Sequence, residues 1–308
     1  MSWTELSLNT THEAVDWVCT LLSEVNYMGE IQIANHPNQK DWAFTICLYL
    51  SNDIGSIAQI DKIADLLSPL HRTGLTTALE IATIAEKPTK AIDSRIHRIG
   101  RRFVVLSPDS PYRSQPDDIL LKIETSLSFG SGFHPATVLS LELIERHVRP
   151  AMNVLDLGCG SGILSIAIAK LGATVLALDN DKIAVQSAQL AIQQNGVESH
   201  VTVMEGSLGQ GSTLGHWMGG TTAETVPTIE PTATFDLIVA NIFARVHIAL
   251  VHDFRQALRH NQSGLVIAAG FTIDYAEELA NAFTEAGFEE VDRVRSHEWI
   301  AIAYRLKL

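Results

Sequence analysis

Asp156-Leu157-Gly158-Cys159-Gly160-Ser161-Gly162 is the stretch on which the fold of this chain turns. It follows an apolar, strand-like run, Asn153–Leu157, and precedes a helix-like run at residues 163–171 that Gly172 ends. A glycine-rich turn between strand and helix lets a ligand approach the backbone and sets it at the positive amino end of the helix. The spacing is G-x-G-x-G, with Ile163 where the dinucleotide fingerprint G-x-G-x-x-G asks for glycine, which counts against a pyrophosphate ligand. A turn that only packs strand on helix would use the same residues, so the turn needs support from elsewhere.

Beyond the turn, strand-like and helix-like runs alternate. Thr174–Asp179, Val201–Glu205 and residues 235–240 and 264–269 read as strands, and Lys182–Gln194 and residues 243–259 as helices. A helix at 274–286 and two strands, residues 289–295 and Trp299–Leu306, close the chain. Such alternation means a parallel, doubly wound sheet with an antiparallel pair at its end. Upstream, residues 102–106 and 119–124 read as strands, and Pro135 suits the first helical position of a run to residue 146.

The amino-terminal part reads differently. A strand at 3–9 leads to a helix capped by Thr10 or Thr11 and running to about residue 25. Strands at 29–34 and 42–50 flank the polar turn Asn35-His36-Pro37-Asn38, and a helix at 56–70 and a strand at 77–85 follow. The order β-α-β-β-α-β is that of a ferredoxin-like unit. Residues 86–102, charged and carrying Pro88, read as a linker or a linking helix. The expected chain is therefore α/β: a doubly wound, Rossmann-like domain over residues 93–308 behind a small ferredoxin-like α+β domain over residues 1–92. Residues 209–234, rich in Gly, Thr and Pro without periodicity, read as a disordered insertion.

Support for the turn comes from Asp179. It stands at the end of the next strand, 21 positions after Gly158, where an acidic side chain can accept hydrogen bonds from ribose hydroxyls. Turn and acid together imply an adenosyl cofactor without a pyrophosphate, S-adenosylmethionine, with Gly158 and Gly160 giving it room. Asp156 either orients the turn, by accepting amide or cofactor-amine hydrogen bonds, or satisfies local amides. Ser207, after Val201–Glu205, can offer hydroxyl or amide to adenine, and is equally an ordinary turn residue. Asn241 follows the fourth strand. Its amide oxygen either holds a substrate amine with the lone pair towards the methyl group or caps the following helix.

The same end of the sheet is expected to be covered by Phe129-Gly130-Ser131-Gly132-Phe133-His134-Pro135-Ala136-Thr137. Two glycines give mobility, and the phenylalanines supply apolar surface to exclude water. His134 is a candidate base, although a solitary histidine before a helix is more often a cap or a structural hydrogen-bonder. No His or Cys cluster has metal-ligand spacing, so no metal is expected.

The 308 residues, 46% hydrophobic and 19% charged, suffice for two globular domains. Lys and Arg number 22 against 35 Asp and Glu, a formal charge of −13. That charge disfavours nucleic acid and favours a basic protein partner, although Arg95, Arg98, Arg101 and Arg102 could form a local basic patch. Cys19, Cys47 and Cys159 lie too far apart for a C-x-x-C pair and suit a reducing compartment. No apolar run reaches the ~20 residues of a membrane span. Without a basic start and an apolar segment behind it, the amino terminus does not read as a secretory signal, so the expected location is cytoplasmic.

Four blocks in order resemble the PrmA family, methyltransferases of ribosomal large-subunit protein eleven. They are F-G-S-G-F-H-P-A-T from Phe129, V-L-D-L-G-C-G-S-G-I-L-S-I-A from Val154, A-L-D-N-D from Ala177 and V-A-N-I-F-A from Val239. The resemblance covers residues 93–308, and the amino domain agrees in topology. It implies S-adenosylmethionine-dependent methylation of lysine or N-terminal amines on a ribosomal large-subunit protein, with the amino domain recognising that protein. It makes Asn241 the catalytic candidate, with Phe129 and Thr137 enclosing a cofactor held by Asp156, Gly158, Gly160, Asp179, Ser207 and Asn241. The chain departs from the family where Asn241-Ile242-Phe243-Ala244-Arg245-Val246-His247 stands for the usual N-I-L-A-G-P-L, and it lacks a D-W-x-x-x-W stretch before Arg102. A methyltransferase of the same fold acting on RNA, an amide or a small molecule is the rival enzyme. A cofactor-binding interaction module without catalysis is the rival from another class.

Overall fold

Strict alternation of inward and outward side chains over Trp3–Thr10 (β1) puts Leu6 and Leu8 on one face of a strand and leaves the other face wetter. The Thr11 hydroxyl accepts the Ala14 amide at 3.2 Å and starts Ala14–Glu24 (α1), as a cap residue does. Ile31–Asn35 (β2), Phe44–Ser51 (β3), Ile54–Arg72 (α2) and Glu80–Ile84 (β4) complete the β-α-β-β-α-β order. The four strands form one antiparallel sheet in the order β2-β3-β1-β4. Leu6, Val15, Val18, Leu22, Phe44, Ile46 and Ile63 pack as its core, and Phe133 from far along the chain joins them.

The computed structural model describes residues 2–25, 27, 29, 31–35, 42–51, 54–88, 96–124, 129–209, 211, 226–259 and 264–307. His36, Pro37 and Asn38 of the expected turn, and Arg95 of the expected basic patch, lie outside them. Arg98 pairs with Asp118 at 2.7 Å and Arg102 with Glu145 at 3.2 Å, so two of the patch's arginines are matched by carboxylates. The stretch read as a linker contains a strand. Ile96–Ile99 (β5), Phe103–Leu106 (β6) and Ile119–Lys122 (β7) form a three-stranded sheet. Only Ile96 and Ile99 mark the first of these strands, and the arginines around them hid its short alternation.

Then come Pro135–His147 (α3), Asn153–Leu157 (β8), Ile163–Lys170 (α4), Thr174–Asp179 (β9), Lys182–Gln194 (α5) and Val201–Glu205 (β10). Ser207–Leu208 (β11) pairs in parallel with Thr228–Ile229 (β12), so the far end of the stretch read as a disordered insertion carries a strand. Residues 210 and 212–225 of that stretch lie outside the described ones. Leu237–Asn241 (β13), Ala244–Ala257 (α6), Leu265–Thr272 (β14), Ala276–Glu285 (α7), Phe288–Ser296 (β15) and Trp299–Leu306 (β16) follow.

The seven-stranded sheet runs β10-β9-β8-β13-β14-β16-β15. It is parallel from β10 to β14, and β16 and β15 add the antiparallel pair. Strand order reverses between β8 and β13, and a crevice at the carboxyl ends of strands opens where order reverses. This is the doubly wound fold the alternation predicts. The chain divides into two compact units: residues 1–97, 105–114 and 123–134, and residues 98–104, 115–122 and 135–308.

Candidate functional site

In the second unit the carboxyl ends of β8, β9 and β13 stand side by side, because Leu157 is in register with both Leu178 and Ala240. Gly158 and Asn241 are the next residues on their strands. The turn after β8 is held by backbone. The amides of Gly158 and Cys159 both donate to the Leu178 carbonyl, at 2.8 and 3.0 Å, and the Gly162 amide donates to the Cys159 carbonyl at 2.8 Å. At Gly158 φ is +77°, and a Cβ there would stand 2.7 Å from Ile242 Cγ2. Glycine is thus required both by the backbone angle and by the close approach of β13's end.

Asp179 ties the turn to β9. One carboxylate oxygen accepts the Gly160 amide at 2.9 Å and the other the Asp181 amide at 3.0 Å. Burial raises its pKa to about 6 against the amides of Gly160, Asp181 and Asn180, which lower it. Asp156 is 0% exposed. Its Oδ2 accepts the Ser165 hydroxyl at 2.5 Å, while Oδ1 has no hydrogen-bond partner among the described residues. Burial, partly offset by Ser165, raises its pKa to about 7. Both readings of Asp156 are therefore half met: one oxygen serves a local group, and the other is an unpaired buried acceptor. Such an acceptor is costly in a folded protein and calls for a donor.

Asn241 has the same property. Its Nδ2 donates to Thr137 Oγ1 at 3.3 Å, and its Oδ1 is buried without a partner among the described residues. The capping alternative is excluded, because α6 begins after Phe243 with no side-chain cap. Thr137, in the first turn of α3, is buried. Ser207 is buried on β11, and its amide donates to the Pro227 carbonyl at 3.0 Å, so the amide is not on offer and only its hydroxyl remains for a ligand.

Asp156, Gly158, Gly160, Asp179, Ser207, Asn241 and Thr137 thus belong to one unit, six of them on or beside the strand ends. Phe129 belongs to the first unit. There its ring meets His134 at 4.9 Å and Trp17 at 6.0 Å, while Phe133 meets Phe44 edge-on at 4.9 Å. His134 is 1% exposed, and burial depresses its pKa to about 3. A ring so weakly basic and so deeply buried is poorly suited to hold a substrate proton, and its contacts with Phe129 and Trp17 fit a structural role.

Two residues of the structure leave almost no mark in the sequence. Ser165, nine positions after Asp156, shares no pattern with it. Asp16, 1% exposed on α1, accepts the Ser131 amide at 3.1 and 3.3 Å and the Gly130 amide at 3.3 Å. Its one signal is a lone carboxylate inside the apolar run Ala14-Val15-Asp16-Trp17-Val18. Among the described residues no group of three or more His, Cys, Asp and Glu side chains could hold a metal ion, and no helix is long and apolar enough to cross a membrane.

A family model described as ribosomal protein L11 methyltransferase (PrmA) matches residues 2–307, so the likeness extends through the amino-terminal unit as well. The ribosomal protein L11 methyltransferase of Chloroflexus aurantiacus is 37% identical over 327 aligned positions, covering 99% of this chain and 98% of that protein. Its counterpart in Herpetosiphon aurantiacus is 35% identical and covers 99% of both. The crystal structure of a ribosomal protein L11 methylase from Lactobacillus delbrueckii subsp. bulgaricus aligns with a TM-score of 0.56 at 27% identity, over 69% of this chain and 99% of that one.

Proposed function

Since this chain belongs to the family of ribosomal protein L11 methyltransferases (PrmA), we propose that it methylates lysine or N-terminal amines of ribosomal protein L11, with S-adenosylmethionine as methyl donor. The observation that carries the reading is a turn tied to Asp179 beside two buried acceptors without donors, Asp156 Oδ1 and Asn241 Oδ1. The donor set fits the group: an adenosyl amino acid brings ribose hydroxyls, an ammonium and an adenine, and the residues present are acceptors beside a turn whose backbone is left uncovered by side chain at Gly158 and Gly160.

When bound, S-adenosylmethionine supplies an electrophilic methyl group on a cationic sulfonium. Asp179 accepts from a ribose hydroxyl with the acceptor capacity that its backbone amides leave. Gly158 and Gly160 leave room for the methionine chain, and Asp156 Oδ1 offers negative charge near the turn. The Ser207 hydroxyl serves the adenine, and Thr137 encloses the site beside Asn241. Asn241 Oδ1 accepts a hydrogen from the substrate amine and turns the nitrogen lone pair to the methyl group. Holding two reactants in line can supply about 7–11 kcal/mol of a barrier, so positioning carries most of the rate. The amine gives up its proton to water before transfer, and no side chain is needed as a strong base.

Residues 1–92 serve as the domain that recognises the protein substrate, and residues 93–308 perform the transfer. The formal charge of −13 suits a basic ribosomal protein and the cytoplasm in which ribosomes work. Incubating the protein with methyl-labelled donor and total ribosomal proteins tests the reading. Label on L11 is expected, and label confined to other proteins or to RNA would retire it.

A further inference from the structure

Beside Asn241 lies a device built from a histidine. Ile242 is the wedge between two glycines: its Cγ2 faces Gly158, and its backbone lies where a Cβ on Gly270 would stand 2.5 Å from its carbonyl oxygen and 2.7 Å from its nitrogen. Gly270, with φ +92°, sits where β14 shifts register against β16, between Ala268 and Phe271. One oxygen organises this corner. The Ala269 carbonyl accepts the Ile242 amide at 3.0 Å and meets His247 Nε2 at 2.9 Å. A carbonyl only accepts, so Nε2 carries the hydrogen, and both of the oxygen's lone pairs are engaged.

His247 is 0% exposed, on the buried face of α6, with its ring edge-on to Phe271 at 5.6 Å and Phe254 at 6.2 Å. Its Nδ1 has no hydrogen-bond partner among the described residues. A side chain serving only to fill the core would be apolar, since a buried nitrogen without a partner is destabilising. What the imidazole has and an apolar side chain of similar size lacks is its bond to the Ala269 carbonyl, with the Ile242 backbone also near the ring.

We propose that His247 is a positioning residue for methyl transfer: by locking the Ala269 carbonyl it fixes Ile242, and through Ile242 the direction of the Asn241 amide. Ala269 is also the residue in register with Asn241 on the neighbouring strand, so the lock acts directly opposite the side chain that it aims. The cofactor-binding residues Asp179 and Gly160 are tied to each other on other strands, out of this chain of contacts. The inference rests on the role proposed for Asn241.

The test compares His247→Leu, His247→Gln and His247→Asn in steady-state transfer to L11. Leucine removes the donor, and glutamine puts an amide N–H near the place of Nε2. Asparagine, a bond shorter, puts its own nearer Nδ1. The expected result is a kcat about five- to tenfold lower for His247→Leu, the scale of one hydrogen bond of about 1 kcal/mol. The KM for S-adenosylmethionine should stay within twofold, and glutamine should restore at least half of the loss. A His247→Leu protein with wild-type kcat would overturn the proposal, as would a loss that glutamine leaves unrepaired. If His247→Leu does not fold, the other pair decides: glutamine active and asparagine impaired supports the lock, and equal behaviour of the two refutes it. Asn241→Ala checks the underlying reading by itself. If it transfers methyl groups at the wild-type rate, the role given to Asn241 fails whatever the histidine variants do.

Discussion

Two glycine-bearing loops in this protein are held in opposite ways. The turn at residues 158–162 is bound within its own β-α-β unit, by the Leu178 carbonyl and by Asp179 on the very next strand. The segment at residues 129–134 is bound by a carboxylate more than a hundred residues earlier, Asp16, and by the rings of Trp17 and Phe44. The first is rigid because neighbouring backbone makes it so. The second is ordered only when the amino-terminal fold is complete. Loops of similar composition can therefore have different stabilities and different sensitivities to mutation, according to whether their anchors are local or distant.

Removing an anchor from each loop gives the largest contrast. Asp179→Ala should weaken S-adenosylmethionine binding by about 10- to 150-fold, since one hydrogen bond to a charged acceptor is worth about 1.5–3 kcal/mol, as titration calorimetry would measure. An affinity within threefold of wild type would remove Asp179 from the site. Asp16→Ala should act instead on order in the first unit. Losing the carboxylate that these amides share should cost about 2–3 kcal/mol, seen as faster hydrogen exchange at Gly130 and Ser131 with the amides of 158–162 unchanged. Equal acceleration in both loops would erase the distinction.

Gly158→Ala probes the rigid turn more gently. Holding a non-glycine residue at φ +77° costs about 1–2 kcal/mol, and the new Cβ would also crowd Ile242 Cγ2. Chemical denaturation should show that loss, with cofactor affinity falling less than for Asp179→Ala.

Acid titration separates the loops by sign. Burial raises Asp156 to about 7 and Asp179 to about 6 from 3.8. A carboxylate raised by folding binds its proton more tightly in the folded chain. Its contribution is full below pH 3.8 and is lost as pH rises towards 6 or 7. Around the other loop, burial depresses His134 from 6.5 to about 3. Its contribution is present above pH 6.5 and is lost as pH falls towards 3. Burial depresses His247 to about 4 and so opposes the carboxylates within the second unit. The clean measurement is thus the difference between Asp156→Asn and wild type. That difference should favour the variant increasingly as pH rises from 4 to 7, and a flat difference would mean that Asp156 ionises like an exposed group.

The contrast also explains what could be read from sequence. Strands β8, β9 and β10, the turn and Asp179 were legible because they are one contiguous β-α-β-α-β stretch in which period, cap and turn residues agree. Asn241 was ambiguous for a local reason, since an asparagine before a helix suits a cap as well as a crevice, and only the start of α6 after Phe243 decides. Ser165, Asp16 and His247 gave almost no signal. Each acts through a fold-dependent contact, and a histidine in an amphipathic helix looks like any other half-polar residue. The four-residue strand Ile96–Ile99 was too short for its alternation to show among arginines.

The division of the first unit into residues 1–97, 105–114 and 123–134 has a consequence for synthesis. When His97 leaves the ribosome, the nascent domain still lacks Phe133 against Phe44, and Asp16 has not met the amides of Gly130 and Ser131. The remaining 37 residues, 134 minus 97, take about 2–7 s at about 5–20 residues per second. For those seconds Phe44 lacks its contact with Phe133, and the Asp16 carboxylate must find water in place of the Gly130 and Ser131 amides. Trigger-type chaperones that bind apolar nascent segments have their window there, and synonymous codons that slow residues 98–134 would lengthen it.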